Sequence, residues 1–344
     1  MSKKYKVAIV GATGAVGEEL LNVLGELDFP VESILPLASA KSAGAEVEFK
    51  GQSYRVQELT ESVFAQNPVD IAFFSAGGSV SAKFAPLAVS AGALVIDNTS
   101  HFRMQANVPL VVPEVNPEDI AKWRETGIIA NPNCSTIQMV QVLKPLDTAF
   151  NLTRVDVATY KAASGAGKEG MDELVEGLRS FFAFKLDSFQ AATFPHTLAL
   201  NVIPHIDVFE SNDYTKEEMK MVNETQKILH KSLEVSATCV RVGVLRSHSE
   251  ALTLHFEREV DAKSAREILS KAPSVVVMDE PREKKYPMPL YTSDTNETYV
   301  GRIRRDISRK NVLHLWCVAD QIRVGAATNA VRIAKEWIKL QNLE

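Results

Sequence analysis

Short apolar runs without polar alternation punctuate the first part of the chain, at residues 6–10, 34–38, 70–75, 93–97 and 127–130, each bounded by Gly, Pro, Asn or Ser. Runs of that kind suit strands buried on both faces, as in a parallel sheet. Helical patterns lie between them at 18–26, 79–91 and 117–126. Strand and helix in alternation predict a doubly wound parallel α/β domain of Rossmann-like type. After about residue 150 the texture changes. Residues 155–161, 236–245, 251–257 and 311–319 read as strands with partial alternation, and 251–257 sets Leu252, Leu254 and Phe256 on one face. Long helices are mixed in, which predicts an α+β domain on a largely antiparallel sheet. A last helix near 325–340 carries Ala327, Ala330, Val331, Ala334, Trp337 and Ile338 on one stripe, suited to packing back on the first domain. The expected division is 1–134 with 322–344, and 135–321.

Length and composition narrow the classes. A chain of 344 residues fits two domains, and 45% hydrophobic with 24% charged residues supplies two cores rather than a disordered chain. A net charge of −5 argues against a general nucleic-acid binder, which needs a basic face. Cys134, Cys239 and Cys317 are too few and too odd in number for a disulfide framework, and point to a reducing cytoplasm. No apolar run approaches the roughly 18 residues needed to span a bilayer. The apolar stretch after Met1 is short and Gly-broken, and reads as a first buried strand rather than a signal peptide.

Gly11-Ala12-Thr13-Gly14-Ala15-Val16-Gly17 follows the first strand and opens the first helix. It is a G-x-x-G-x-x-G variant of the dinucleotide fingerprint. Glycines let the backbone turn tightly and approach a pyrophosphate, and the helix start offers free N–H groups. An NAD-type site wants an acidic residue about 20 residues further on. Residues 37–44 hold none; they offer Ser39, Lys41 and Ser42, groups suited to a 2′-phosphate, so NADP is expected over NAD. The second Gly-rich stretch, 164–170, has Ala162 and Glu169 where a P-loop needs Gly and Ser or Thr. It is expected to approach the nicotinamide end or to turn the chain.

Asn131-Pro132-Asn133-Cys134-Ser135-Thr136 separates a strand from a helix, so Cys134 stands at a helix N-terminus. That location favours a thiolate, and the same N–H groups suit an oxyanion. Cys239 and Cys317, inside strand-like runs, read as small buried hydrophobes. No H-E-x-x-H or Cys/His metal spacing occurs, so no metal is expected. Of seven histidines, His248 is one candidate acid/base, expected at the end of a strand. Thr215 and Glu218 form a capping-box pattern, and Glu217 and Lys220, three apart, share a helix face.

Together, residues 11–17, 97–104, 131–136, 217–220 and 241–250, with Asp320-Gln321 and Gly325-Ala326-Ala327, resemble the aspartate-semialdehyde dehydrogenase family, in its order and over nearly the whole chain. The resemblance implies NADP-dependent, phosphorylating, reversible oxidation of L-aspartate 4-semialdehyde to L-4-aspartyl phosphate. It implies that 1–134 binds NADP and that 135–321 carries catalysis and dimerisation. Cys134 is then the acyl-thioester nucleophile and His248 the acid/base. Arg241 clamps the substrate carboxylate, Glu217 meets its amino group, Arg103 and Lys220 hold phosphate, and Asn133 and Lys161 also contact substrate or phosphate. Gly11, Thr13, Gly14, Ala15, Val16, Lys41, Ser42, Ser164, Gly165 and Gln321 are the implied cofactor contacts. The family feeds lysine, threonine, methionine and isoleucine synthesis in the cytoplasm, usually as homodimers and sometimes as tetramers.

Two departures stand out. Gln321 replaces a more frequent Asn. Lys161 replaces a usual Gln, where a cation is expected either to favour the Cys134 thiolate or to misplace the substrate by attracting its carboxylate. Two rivals follow: a sister reductase acting on N-acetylglutamyl phosphate or malonyl-CoA, and a catalytically silent nucleotide-binding paralogue that scaffolds a partner.

Overall fold

The computed structural model describes residues 3–343. Met1, Ser2 and Glu344, at the outer ends of the expected first domain and closing helix, lie outside the described residues. The chain divides into two compact units, one made of the stretch up to Asn133 and the stretch from Ala326 on, the other Cys134–Gly325.

The first unit runs β1 (Tyr5–Val10), α1 (Ala15–Glu26), β2 (Val31–Ala38), β3 (Glu46–Phe49), β4 (Gln52–Arg55), β5 (Gln57–Glu58), α2 (Val63–Gln66), β6 (Ile71–Phe74), α3 (Gly78–Ser90), β7 (Leu94–Asp97) and β8 (Ile128–Ala130). Its main sheet has the order β5-β2-β1-β6-β7-β8, every pair parallel. The chain leaves β1 for β2 on one side and later returns to β6 on the other. The carboxyl ends of β1 and β6 therefore form a topological switch point, where open α/β sheets take their ligands.

The apolar runs become strands because both faces are covered: Val7, Ile9, Ile71, Phe73, Ile96 and Ile129 enter one core. Two features were not anticipated. The hairpin β3–β4 offers only Val47 and Phe49 as buried apolar residues and closes on Lys50 and Gly51, both at positive φ, as a tight hairpin turn requires. Residues Pro117–Glu125 wind as a 3-10 helix rather than an α-helix. Their two large apolar residues, Ile120 and Trp123, stand three apart, the 3-10 repeat, and both meet the core.

The second unit runs α4 (Cys134–Phe150), β9 (Leu152–Lys161), α5 (Gly167–Phe182), β10 (Val202–Ile203), α6 (Lys216–Leu229), β11 (Glu234–Val242), β12 (His248–Phe256), α7 (Ala262–Leu269), β13 (Val275–Val277), α8 (Pro289–Thr292), β14 (Thr298–Arg305) and β15 (Val312–Ala319). Its seven-stranded sheet has the order β10-β11-β9-β12-β15-β14-β13. Pairing is antiparallel except at β11–β9 and β13–β14. Along β12 the expected face is met: Leu252, Leu254 and Phe256 are buried.

One strand boundary is corrected. The strand expected over 236–245 stops at Val242, and His248 opens β12 instead of ending a strand. Val244 N–H donates to Val242 O at 2.8 Å and Ser247 sits at φ +72°, so the chain turns between them. The last element, α9 (Thr328–Leu343), belongs to the first unit, where Ala327, Ala330, Val331, Ala334 and Trp337 join the core of β1 and α1.

Candidate active site

On the first unit, Gly11 follows β1 at φ +92°, a conformation that only glycine adopts without strain. A Cβ on Gly17 would lie 2.1 Å from Gly11 O and 2.8 Å from Ala12 Cα, so α1 can seat itself on this loop only through a glycine. Gly14 caps α1 with no side chain over the helix start. Thr13, Ala15 and Val16 are partly exposed around it. The backbone thus forms a cradle at the switch point, with first-turn N–H groups at its rim, and this fits the pyrophosphate of a dinucleotide. The loop after β6 abuts it, since a Cβ on Gly11 would meet Ser75 O at 2.7 Å. That loop, with Gly77 at φ +96° capping α3, was missed from sequence, although its Gly77-Gly78 pair was a signal.

Lys41 and Ser42 lie in a 3-10 turn, Ala40–Ser42, just past the carboxyl end of β2, with Lys41 exposed. Arg103 is buried. Its Nε donates to Asn131 O at 2.9 Å and its Nη2 to Asn98 O at 2.7 Å, tying the segments after β7 and β8 together. Asn133, also buried, ends the first of this unit's two stretches of chain.

On the second unit one edge of the sheet gathers the chemistry. β9 and β11 are parallel, and their last direct partners there are Lys161, which ends β9, and Arg241, one residue before the end of β11. β12 is antiparallel to β9 and begins there with His248, and β15 ends there at Ala319, the partner of His248. Cys134 is the first residue of α4 and is partly exposed. Gln138, one turn on, reaches His248 O with its Nε2 at 3.4 Å.

His248 is buried, and its Nδ1 accepts the Ala162 N–H at 3.0 Å, so the neutral ring carries its proton on Nε2. Burial, and then the charges of Lys161 and Arg241, hold its pKa well below the usual histidine range. Arg241 donates from Nη1 to Ala162 O at 2.6 Å and lies over the Phe194 ring, 5.6 Å from its centroid. A Cβ on Gly165 would lie 2.6 Å from that Nη1 and 3.2 Å from His248 Nε2, so this exposed glycine keeps both groups clear.

Lys161 is 1% exposed and donates to Glu217 Oε1. Burial opposes its charge, but Glu217, followed by Cys239 and Cys134, overrides that and holds the ammonium above the usual lysine range. Burial likewise opposes the charge of Glu217, and Lys161 and Lys220 pull its carboxyl well below the usual range. The Lys161 ammonium, expected either to favour the Cys134 thiolate or to attract a substrate carboxylate, pairs with Glu217. The predicted capping box of α6 is present: Glu218 N–H donates to Thr215 Oγ1 at 3.3 Å, and Thr215 N–H to Glu218 Oε2 at 2.7 Å. It sets Glu217 and Lys220 on one face, joined at 2.9 Å.

Gln321, Ser164 and Ser247 form a clamp in which Gln321 Nε2 donates to Ser164 Oγ and Ser247 N–H donates to Gln321 Oε1 at 2.9 Å. Phe194, His205 and Asp207 were missed from sequence, yet with Arg241 they line a cavity of about 410 Å³. Glu250, also missed, is buried on β12. Burial pushes its carboxyl up to about 8, against the opposing charge of Lys161. Cys239 and Cys317 are buried, and burial pushes the Cys239 thiol up to about 11 and holds the Cys317 thiol well above the usual thiol range. Among the described residues no His/Cys/Asp/Glu group is placed to hold a metal, and no helix is long and apolar enough to cross a membrane.

Comparison with known proteins gives a consistent picture. Residues 6–123 match the family described as "Semialdehyde dehydrogenase, NAD binding domain", and residues 143–324 match "Semialdehyde dehydrogenase, dimerisation domain". An aspartate-semialdehyde dehydrogenase of Campylobacter jejuni is 78% identical over 342 residues, covering 99% of this chain and 100% of that protein. One of Helicobacter pylori is 52% identical over 345 residues, covering 98% and 99%. The crystal structure of aspartate semialdehyde dehydrogenase II of Vibrio cholerae, complexed with ASA, superposes with a TM-score of 0.95 at 46% identity, covering 98% of this chain and 99% of that one.

Proposed function

The chain belongs to the aspartate-semialdehyde dehydrogenase family, and from that membership we propose that it catalyses the reversible, NADP-dependent, phosphorylating oxidation of L-aspartate 4-semialdehyde to L-4-aspartyl phosphate. The observation that carries the reading is the sheet edge in the second unit. One thiol at a helix start accompanies one neutral histidine with its proton on Nε2, one arginine, and a buried carboxylate held between two lysines.

The Cys134 thiolate attacks the substrate carbonyl, favoured by the N–H groups at the start of α4 and by Lys161 and Arg241, which both interact electrostatically with it. His248, the assigned acid/base, directs its Nε2–H to the oxygen of the tetrahedral adduct and stabilises the charge there until the adduct collapses. Arg241 pairs with the substrate carboxylate in a planar, bidentate geometry. Glu217 accepts the substrate ammonium, while Lys220 and Arg103 hold phosphate, which releases the acyl group from Cys134. When bound, the nicotinamide exchanges the hydride. Gly11, Thr13, Gly14, Ala15, Val16, Ser164, Gly165 and Gln321 are the residues assigned to hold it. Lys41 and Ser42 are assigned to the 2′-phosphate, because no acidic residue stands in 37–44. Placement in the aspartate pathway of amino-acid synthesis, in the cytoplasm and as a homodimer or tetramer, follows from the family.

The test is direct. The protein is incubated with L-aspartate 4-semialdehyde and phosphate, offered NADP or NAD, and the reduced cofactor is followed. NADP reduction, lost in Cys134→Ala and accompanied by an acyl adduct on Cys134 in mass spectra, is expected. Turnover of N-acetylglutamyl phosphate or malonyl-CoA in place of aspartyl phosphate would select the sister reductases instead.

A further inference from the structure

We propose that Asp207 is a positioning residue that receives the ammonium of Lys220, so that Glu217 can exchange that ammonium for the one on the substrate. The role rests on the reading of Glu217 and Lys220 given above.

Glu217 divides its two oxygens. Oε1 accepts from Lys161, and Oε2 accepts from Lys220 at 2.9 Å. The two cations differ in freedom. Lys161 is strand-borne, with its side chain 1% exposed, whereas the Lys220 side chain is 19% exposed and donates with the same Nζ to Asp207 Oδ2 at 2.8 Å. Two nearly equal distances to two carboxylates describe a cation poised between them. Asp207 is aimed for this. Its Oδ1 accepts the Val208 N–H at 2.9 Å, which turns Oδ2 toward Lys220. It also lines the cavity that contains Arg241.

Lys161, Glu217, Lys220 and Asp207 therefore alternate in sign and cancel. A substrate ammonium arriving at Glu217 Oε2 would crowd a third cation around one carboxylate, and like charges at that distance repel strongly in a buried site. If Lys220 shifts wholly onto Asp207, Glu217 faces two cations instead of three, and Lys220 keeps a carboxylate of its own. Without Asp207, Lys220 has Glu217 as its acidic partner in this row, and it competes with the substrate for it. Asp207 thereby sets how readily the site reads an α-amino group, separately from the chemistry at Cys134.

Asp207→Asn preserves the Oδ1 contact to Val208 and removes the acceptor at Oδ2. Steady-state kinetics on the full chain should show KM for L-aspartate 4-semialdehyde raised about tenfold with kcat changed less than about twofold. Asp207→Glu should restore KM to within about threefold of the parent. In a Lys220→Ala background Asp207→Asn should add nothing, because no ammonium is left to receive. An unchanged KM in Asp207→Asn, a loss confined to kcat, or an equal further loss in the Lys220→Ala background would each overturn the role. An unmodified protein inactive on the semialdehyde overturns the functional reading and this role together. An active protein matched by Asp207→Asn overturns the role alone.

Discussion

Around the glycine loop of the first unit the residues assigned to a ligand are small and uncharged: Gly11, Thr13, Gly14, Ala15 and Val16, with Gly17 supporting them. At the sheet edge of the second unit they are among the largest polar residues of the chain, and Lys161, Glu217, Arg241 and His248 are all buried. On the proposed function, the difference follows from what each unit would recognise. A pyrophosphate is a diffuse anion that backbone N–H groups satisfy, and what matters is how near the backbone can come. A small substrate with an ammonium, a carboxylate and a reacting carbonyl needs opposed charges at fixed places, and these must be desolvated and held against one another. One site is specified by what is missing from its side chains. The other is specified by side chains that would destabilise the fold if unpaired.

That contrast is broken most forcefully at Glu217. Glu217→Gln leaves the ammonium of Lys161 buried without its anion, and removal of one partner of a buried pair costs about 3–5 kcal/mol. A large fall in the denaturant midpoint is expected. Lys161→Gln should cost less, because Glu217 keeps Lys220 at 2.9 Å. Equal losses in the two variants would show that the pair is not the stabilising unit. In the first unit the matching test is Gly17→Ala. Its Cβ would meet Gly11 O at 2.1 Å, a backbone atom that cannot swing aside, and overpacking of this kind costs about 2–3 kcal/mol. Calorimetry should also show weakened NADP binding. A variant that binds NADP normally would mean that the loop is looser than the cradle argument requires.

The same contrast explains what could be read from the sequence. Glycine spacing, the apolar runs and the capping box of Thr215 and Glu218 are local signals, each complete within a few residues. They located the parallel sheet, the switch-point loop and the start of α6. Cys134 was legible because the strand and helix that flank it are adjacent in the chain. Lys161, Glu217, Arg241 and His248 come from four separate elements, and only the strand order β11-β9-β12 makes three of them neighbours. Spacing left His248 one histidine among seven, and the resemblance singled it out. Phe194, His205 and Asp207 lie between α5 and α6 in a segment with little regular structure, so no periodic pattern marked them. The pairing of Lys161 with Glu217 was also out of reach, since it joins residues 56 apart on a strand and a helix.

Glu250 sharpens the contrast through pH. Its carboxyl is pushed up to about 8 by burial, against an ordinary value of 4.5. The native state therefore holds a proton on it that the unfolded chain has released once the pH passes 4.5. Its contribution to stability is full below that value, declines as pH rises, and is gone above about 8. Relative to Glu250→Gln, which stays neutral, the parent protein should lose roughly 3–4 kcal/mol between pH 5 and 8, with the gap levelling off about one pH unit higher. Thermal melts of both proteins across that range measure it. Parallel curves would show that Glu250 is ionised throughout that range.

The smallest effect is expected where a side chain does contribute on the first unit. Lys41 is exposed, in a turn at the carboxyl end of β2, and on the proposed reading a cation there would pair with a 2′-phosphate in water rather than in a buried site. Lys41→Ala should weaken NADP about tenfold, near 1.4 kcal/mol, and leave NAD unchanged. The deficit should shrink with added salt, because exposed pairs are screened within about 10 Å at 0.1 M ionic strength. No comparable salt dependence is expected of Glu217, which is held away from solvent between two lysines. If Lys41→Ala weakened NAD and NADP alike, Lys41 would be serving the loop rather than the phosphate. Selectivity for NADP would then rest on Ser39, Ser42 and the absence of a carboxylate in 37–44, and the first unit would recognise its ligand almost wholly through its backbone.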